Sequence, residues 1–226
     1  MPRDGTLTRK RILDATQALV IAQGFAATSV DEVIAAAGTT KGALFHHFSS
    51  KQELGRALVE RYAAEDRVIL DDITARSERL SHDPLQQLLI FVGLLMEETE
   101  QQMRTSPGCV FASFCYERQL VDEATRTLIA ASLQRWNDQI RLKLDEIARR
   151  YPPRAPVDLA ALADQVITLI EGTYVMVRAL GDPGLIRGQL DQFRTYLELL
   201  FLPGPVSAPA ASRAAGSTPA SRVTRA

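Results

Sequence analysis

Residues 26–54 read AATSVDEVIAAAGTTKGALFHHFSSKQEL, and the spacing inside this run decides how the chain is built. Ser29 and Glu32 stand three apart at the head of an apolar stripe of Val30, Val33, Ile34 and Ala37. That is the pattern in which a serine caps a helix and a glutamate reaches back to the cap's own N–H. Gly38 stops this helix, and Thr39 or Thr40 caps a short one that runs to His47. A second pair, Ser50 and Glu53, is expected to form another capping box and to open a long fourth helix. Upstream, residues 8–23 place Ile12, Ala15, Leu19 and Ala22 on one face, and Gly24 ends them with Phe25 positioned to pack back. Short helices with a tight glycine turn between the second and third form a helix-turn-helix, whose recognition helix lies in a DNA major groove.

The side chains suit that task. Gly38 permits the sharp turn, and the small Ala35, Ala36 and Ala37 let the two short helices pack closely. Lys41-Gly42-Ala43 leaves the start of the third helix open to approach by DNA, and Thr40, Lys41 and His46 reach toward phosphates or base edges. Leu44 and Phe48 face the small core, and His47 is read as a packing residue. Lys51 sits in the first turn of the fourth helix, where amides and ammonium together favour a phosphate.

The runs 26–38, 40–48 and 50–54 closely resemble the DNA-binding domain of TetR-type (TetR/AcrR) transcriptional regulators. Turn glycine, Lys-Gly pair, aromatic-histidine cluster and capping box all fall in register over about the first fifth of the chain. The resemblance implies a homodimeric repressor on a near-palindromic double-stranded operator, released when a small-molecule effector binds the C-terminal domain. It places the DNA contacts on Thr28, Thr39, Thr40, Lys41, Gly42, Phe45, His46 and Lys51. Members of the family usually carry a tyrosine where Phe45 stands, and the absent hydroxyl removes one phosphate hydrogen bond.

The rest of the chain reads as helix throughout, without a run of period-two alternation. The expected fold is therefore all-α with about nine helices. It comprises a helix-turn-helix domain over 1–55, a ligand-binding and dimerisation domain over 56–202, and a disordered Ala/Pro/Ser/Arg tail over 203–226. Asp83-Pro84 starts one helix, Tyr151-Pro152-Pro153 ends another, Asp158 caps the next, and Asp182-Pro183 starts the last. The stripe Ile186, Leu190, Phe193, Leu197 and Leu200 is expected to join its neighbour's stripe in a four-helix bundle across a two-fold axis.

Composition narrows the function classes. Hydrophobic residues make up 46% and charged residues 23%, an ordinary soluble balance. Two cysteines exclude a disulfide framework, and no apolar leader follows Met1, so a cytoplasmic protein is expected. The stretch 166–180 carries Glu171 and Arg178 and is read as too short to span a bilayer. The net charge of −1 hides a bias: residues 1–60 hold 7 Lys/Arg against 6 Asp/Glu, and residues 61–202 hold 16 against 21. A DNA-binding patch is local, so this balance permits phosphate binding. No grouping has metal-ligand spacing, and no nucleophile–base set or phosphate-cradling loop occurs, so neither an enzyme nor a cofactor is expected. A helical ligand- or partner-binding protein without operator-specific DNA binding is the rival reading.

The sensing half carries weaker signals. Cys109 follows Pro107-Gly108 at the start of a short helix, where a helix dipole lowers a thiol pKa and would make it react before Cys115. The bland alternative is that both cysteines are buried small hydrophobes. On the penultimate helix Asp164, Thr168, Glu171, Val175 and Arg178 share one face, which either meets water or lines a cavity. Glu171, if buried, needs a partner, and Arg178 or a cationic ligand are the candidates. Phe91, Leu95, Met96, Phe114, Trp136 and Tyr174 are the expected apolar walls.

Overall fold

A computed structural model describes residues 5–105 and 108–202. The expected disordered tail therefore lies outside the described residues, as does Pro107 of the Pro107-Gly108 break. The described residues form nine α-helices and one 3-10 turn: α1 (Gly5–Gln23), α2 (Val30–Ala36), α3 (Lys41–His47), α4 (Lys51–Leu80), α5 (Pro84–Thr105), α6 (Val110–Tyr116), the 3-10 turn Arg118–Leu120, α7 (Glu123–Arg150), α8 (Leu159–Leu180) and α9 (Leu185–Phe201). The all-helical reading holds among the described residues, although α1 starts at Gly5, three residues before the expected residue 8.

Ser29 accepts from the Glu32 N–H while the Glu32 carboxylate accepts from the Ser29 N–H at 2.7 Å, completing the box that opens α2. Gly38 then takes φ +57, and the Thr39 N–H donates to the Ile34 carbonyl while the Gly38 N–H donates to Ala35. These paired bonds satisfy the last carbonyls of α2 and need a left-handed residue between them. Thr40 is the cap of α3. The second box differs from expectation: Ser50 accepts from the Glu53 N–H, but the Glu53 carboxylate reaches one residue further back, to the Ser49 N–H and hydroxyl. The last helix also starts later than expected. Asp182 turns back on the Gly184 N–H, so α9 begins only at Leu185.

Two large apolar clusters, with a small third one of Met103, Val177 and Ile186, organise the described residues. One joins α1–α3 and the first turns of α4 to α6, with Ile12, Leu44, Phe48 and Leu58 wholly enclosed. Val110, Phe111 and Phe114 of α6 belong to this same cluster, so the helix-turn-helix, the reading head, shares its core with a segment about 50 residues downstream of its own sequence. The other large cluster lies among the second half of α4 and helices α5, α7, α8 and α9. α4 runs through both; its 30 residues, at about 1.5 Å each, make a rod of roughly 45 Å.

The α9 stripe is not an open face. Ile186, Leu190, Phe193, Leu197 and Leu200 are all buried within the chain, chiefly against α5 and α8. This corrects the expectation that they meet a second subunit: the intramolecular bundle is what this stripe completes. The opposite faces of α8 and α9 instead expose Met176, Leu180, Tyr196 and Leu199. The stretch 166–180 lies within α8, whose 22 residues are, by length and composition alone, long and apolar enough to cross a membrane. Here α8 packs on α7 and α9 and buries Leu162, Val166, Ile170 and Val177.

Candidate functional site

Two sites emerge, a polar face at the helix-turn-helix and a cavity in the larger helical half. On the reading head, Thr40, Lys41, Gly42 and His46 are exposed, and Phe45 keeps 41% of its surface in solvent. Nothing lies within 4 Å of the Cβ position at Gly42, so the backbone at the start of α3 is open to close approach. Thr39 is half-buried. Two expected contacts are placed differently. Thr28 is buried, and its hydroxyl donates to the Gly24 carbonyl at 2.7 Å. Lys51 is half-buried, with its ammonium donating to the Ala26 carbonyl at 3.0 Å over the Phe25 ring. Both side chains hold the turn between α1 and α2, a local demand that sequence spacing could not separate from phosphate binding.

The turn at the end of α1 is also held from outside the head. Gly24 adopts φ +85, and Oε2 of Glu117, just past α6, accepts from the Ala26 N–H at 2.6 Å. A Cβ on Gly24 would meet the same carboxylate at 2.5 Å. Arg178, near the end of α8, donates to the carbonyls of Ile21 and Ala22 at 2.9 and 2.5 Å. These are the open C-terminal carbonyls of α1, where a guanidinium satisfies acceptors and opposes the helix dipole. Phe25 packs on Phe114 of α6 at 4.8 Å between centroids, and a side chain at Gly55 would strike its ring at 2.7 Å.

The cavity lies among α4, α5, α6, α7 and α8 and measures about 70 Å³. Of the expected lining residues it includes Leu95, Cys109, Trp136, Glu171 and Tyr174. Three others are elsewhere. Phe91 stacks edge-on behind Trp136 in the core, Phe114 seals Phe25, and Arg178 is engaged with α1. Met96 is core as well. The polar face of α8 likewise divides: Asp164, Thr168 and Val175 are exposed, and only Glu171 turns inward.

Sequence reading missed Tyr62 and Asp66 of α4, Thr99 and Gln102 of α5, and Phe111 of α6. A signal existed for Asp66. A buried indole N–H requires an acceptor, and Trp136 Nε1 donates to Asp66 Oδ2 at 2.9 Å. Gln102 donates to the Tyr62 hydroxyl and to the Gly108 carbonyl, each at 3.2 Å, tying α5 to the segment that opens α6.

Burial governs the ionisation of this pocket. It raises Asp66 to about 6, against the opposing hydrogen bond from Trp136 and the charge of Arg135. It also raises Glu171, with Asp66 adding to the effect against a hydrogen bond from Cys109. Cys109 is itself pushed well above the ordinary thiol range, first by burial and then by the Glu171 carboxylate. This goes against the low-pKa, reactive reading of Cys109 and fits its alternative, a buried small hydrophobe. A seven-residue helix supplies too little dipole to outweigh enclosure beside an acid. Cys115 is the exposed cysteine.

Residues 12–58 match the family model for bacterial regulatory proteins, tetR family, and residues 84–193 match that of the tetracyclin repressor-like C-terminal domain. The chain belongs to the TetR family. As a TetR-family member it is a ligand-responsive, DNA-binding transcription regulator. It is similar to the HTH-type transcriptional repressor DhaR of Mycobacterium sp. (strain GP1), 22% identical over 88% of this chain and 94% of that one. Two solved structures share the TetR fold. A TetR-family transcriptional regulator from Agrobacterium tumefaciens superimposes with a TM-score of 0.72 at 24% identity, covering 88% of this chain and all of that one. A TetR regulator from Chloroflexus aurantiacus J-10-FL gives 0.73 at 24% identity, with 89% and 100% covered.

The raised Asp66 gives a pH test. Its folded pKa lies about two units above an unfolded value of roughly 3.9, so the native state binds the extra proton between these values. The native chain therefore loses stability as pH rises from about 4 through about 6, by roughly 2–3 kcal/mol at most. Asp66→Asn keeps an acceptor for Trp136 without the charge. Denaturant unfolding should find it as stable as, or more stable than, the native chain at pH 8, with that difference shrinking toward pH 4. A difference that does not change with pH would show that Asp66 ionises freely.

Proposed function

We propose that the chain is a homodimeric repressor in the cytoplasm that leaves a palindromic operator when a small molecule enters the cavity. The observation that carries this reading is that the cavity's walls and the clamps on the reading head are the same two helices. Cys109 and Phe111 line the cavity at the start of α6, and Glu117 at its far end holds Ala26. Glu171 and Tyr174 line it on α8, and Arg178, two turns beyond Glu171, holds the end of α1. A cavity of about 70 Å³ is small beside the ~300–1,000 Å³ of typical ligand pockets, so occupancy requires these walls to move. Displacing α6 or α8 shifts the clamps, and with them the spacing of two heads that must meet half-sites about 34–36 Å or a multiple apart.

The division of labour follows the expected domains, with 1–55 reading DNA and 56–202 binding ligand and partner. Thr39, Thr40, Lys41, Gly42, Phe45 and His46 are assigned to DNA through the exposed start and face of α3. Lys51 and Thr28 support them by shaping the α1–α2 turn. The second copy is assigned to the outer faces of α8 and α9. A groove lined by Leu169, Gly172, Met176 and Leu185 runs between these helices, and Tyr196 and Leu199 extend the exposed face of α9. Gly172 has nothing within 4 Å of its Cβ position, which suits close helix approach. No catalytic role is assigned.

Two experiments test this reading. In mobility-shift titrations on the chain's own upstream DNA, Lys41→Ala should weaken binding and lower the log–log salt slope by about one unit per half-site, the mark of a lost phosphate contact. Lys51→Ala should act through the turn and leave the slope nearly unchanged. A slope unmoved by Lys41→Ala would exclude that contact. In sedimentation at micromolar concentration the chain should run as a dimer, and Met176→Asp should shift it toward monomer with unchanged helix content. A monomeric parent chain that still binds the full palindrome tightly would contradict the assembly.

A further inference from the structure

The charged groups that line the cavity are of one sign. Asp66 and Glu171 face into it, the exposed Glu98 also borders it, and no lysine, arginine or histidine lines it among the described residues. Its remaining polar lining consists of neutral groups: the hydroxyls of Tyr62, Tyr174 and Thr99, the Gln102 amide and the Cys109 thiol. The Cys109 thiol is the one donor near the Glu171 carboxylate among the described residues, and Glu171 Oε2 is buried with no hydrogen-bond partner. Arg178, on the same helix face, is turned to the carbonyls of Ile21 and Ala22 and is committed there. Asp66 has the Trp136 N–H, a neutral donor. A buried carboxylate oxygen without a partner is costly, and a group bringing both positive charge and N–H donors relieves that cost.

The apolar walls point the same way. Tyr62 and Phe111 meet edge to face at 4.8 Å, and Trp136 and Tyr174 complete an aromatic lining around the carboxylates. Aromatic faces attract cations, most strongly when water is excluded. A ligand bearing a carboxylate or phosphate would meet two like charges, and a neutral hydrocarbon would leave Glu171 Oε2 unsatisfied. The volume, about 70 Å³, is near half that of an apolar cavity that takes benzene, ~150 Å³. Only a compact group fits without movement of the walls.

We propose that this cavity binds a small organic ammonium ion, with Glu171 as its hydrogen-bonding counter-charge, Asp66 as a second negative charge, and Tyr62, Trp136 and Tyr174 as its aromatic walls. The proposal rests on the reading of the cavity as the effector site and specifies the ligand class. Donation of an ammonium N–H to Glu171 Oε2 replaces the missing bond, and the alkyl or aryl remainder presses on α6 and α8.

Trp136 is the chain's one tryptophan, so its emission reports directly on the cavity. The full chain is titrated at pH 7.5 with butylammonium and benzylammonium, with the neutral isosteres butanol and benzyl alcohol, and with butyrate and benzoate. Trp136 emission and thermal midpoint are both read. At least one ammonium ion should shift both in a saturable way, at least tenfold more tightly than its alcohol, and the carboxylates should have no effect. Glu171→Gln and Glu171→Met, either of which suffices if the other folds poorly, should each weaken ammonium binding at least tenfold and leave the alcohols unaffected. If an alcohol or carboxylate binds as tightly as its ammonium analogue, or a folded Glu171 variant retains full ammonium affinity, the ligand class is wrong and the effector-site reading survives. If no compound shifts Trp136 emission or the midpoint, the proposal fails. If in addition Ile170→Phe, which fills the cavity, leaves DNA binding and its response to cell extract unchanged, the effector-site reading falls too.

Discussion

The end of α1 cannot satisfy its own backbone, and the structure resolves this with groups from distant parts of the chain. The carbonyls of Ile21 and Ala22 are met by Arg178 of α8, the N–H of Ala26 by Glu117 beyond α6, and the carbonyl of Ala26 by Lys51 of α4. Phe25, between these polar contacts, packs on Phe114 and on the bare backbone of Gly55. A helix terminus left with open donors and acceptors in a half-buried place is unfavourable, so the head's position depends on the helices that supply its partners. Each of those helices also lines the cavity. The proposed mechanical link between ligand and DNA needs no additional device: it would run through the groups that satisfy the α1 terminus.

The same economy shapes the pocket. With Arg178 serving α1, Glu171 is left with a buried oxygen, Oε2, that has no hydrogen-bond partner among the described residues. Glu171 and Asp66 sit in a small space lined with aromatic rings, and both resist ionisation there. Cys109 shares that environment, and the same burial pushes its thiol above the ordinary range. Its proximity to the cavity is a matter of wall and shape, and the polarity of the site is set by the acids.

The reading head was legible almost residue by residue, because capping boxes, a turn glycine and a helical stripe are local signals over fewer than thirty residues. Ser29, Glu32, Gly38 and Thr40 perform the roles their spacing announced. Lys51 and Thr28 were harder, since a lysine at a helix start and a threonine in a turn serve DNA or the protein's own backbone equally well by sequence. The cavity was half legible. Trp136, Glu171 and Tyr174 stood out as large or polar residues on apolar helices, but Tyr62 and Asp66 lie on α4, whose i, i+4, i+7 row with Ile69 looks like any exposed helix face until α5 and α8 close over it. The α9 stripe shows the reverse error. Periodicity identifies a buried face correctly without saying whether its own chain or a second copy covers it.

The coupling claim is tested most directly by hydrogen–deuterium exchange over residues 18–30 in the full chain and in Arg178→Met. Removing the guanidinium frees the Ile21 and Ala22 carbonyls while the apolar stem of the side chain is retained. Exchange at the end of α1 and in the following turn should accelerate at least tenfold, while the buried amides of α8 from 162 to 173 keep their native protection. Unchanged exchange at 18–30, or acceleration spread evenly over the whole chain, would contradict the account.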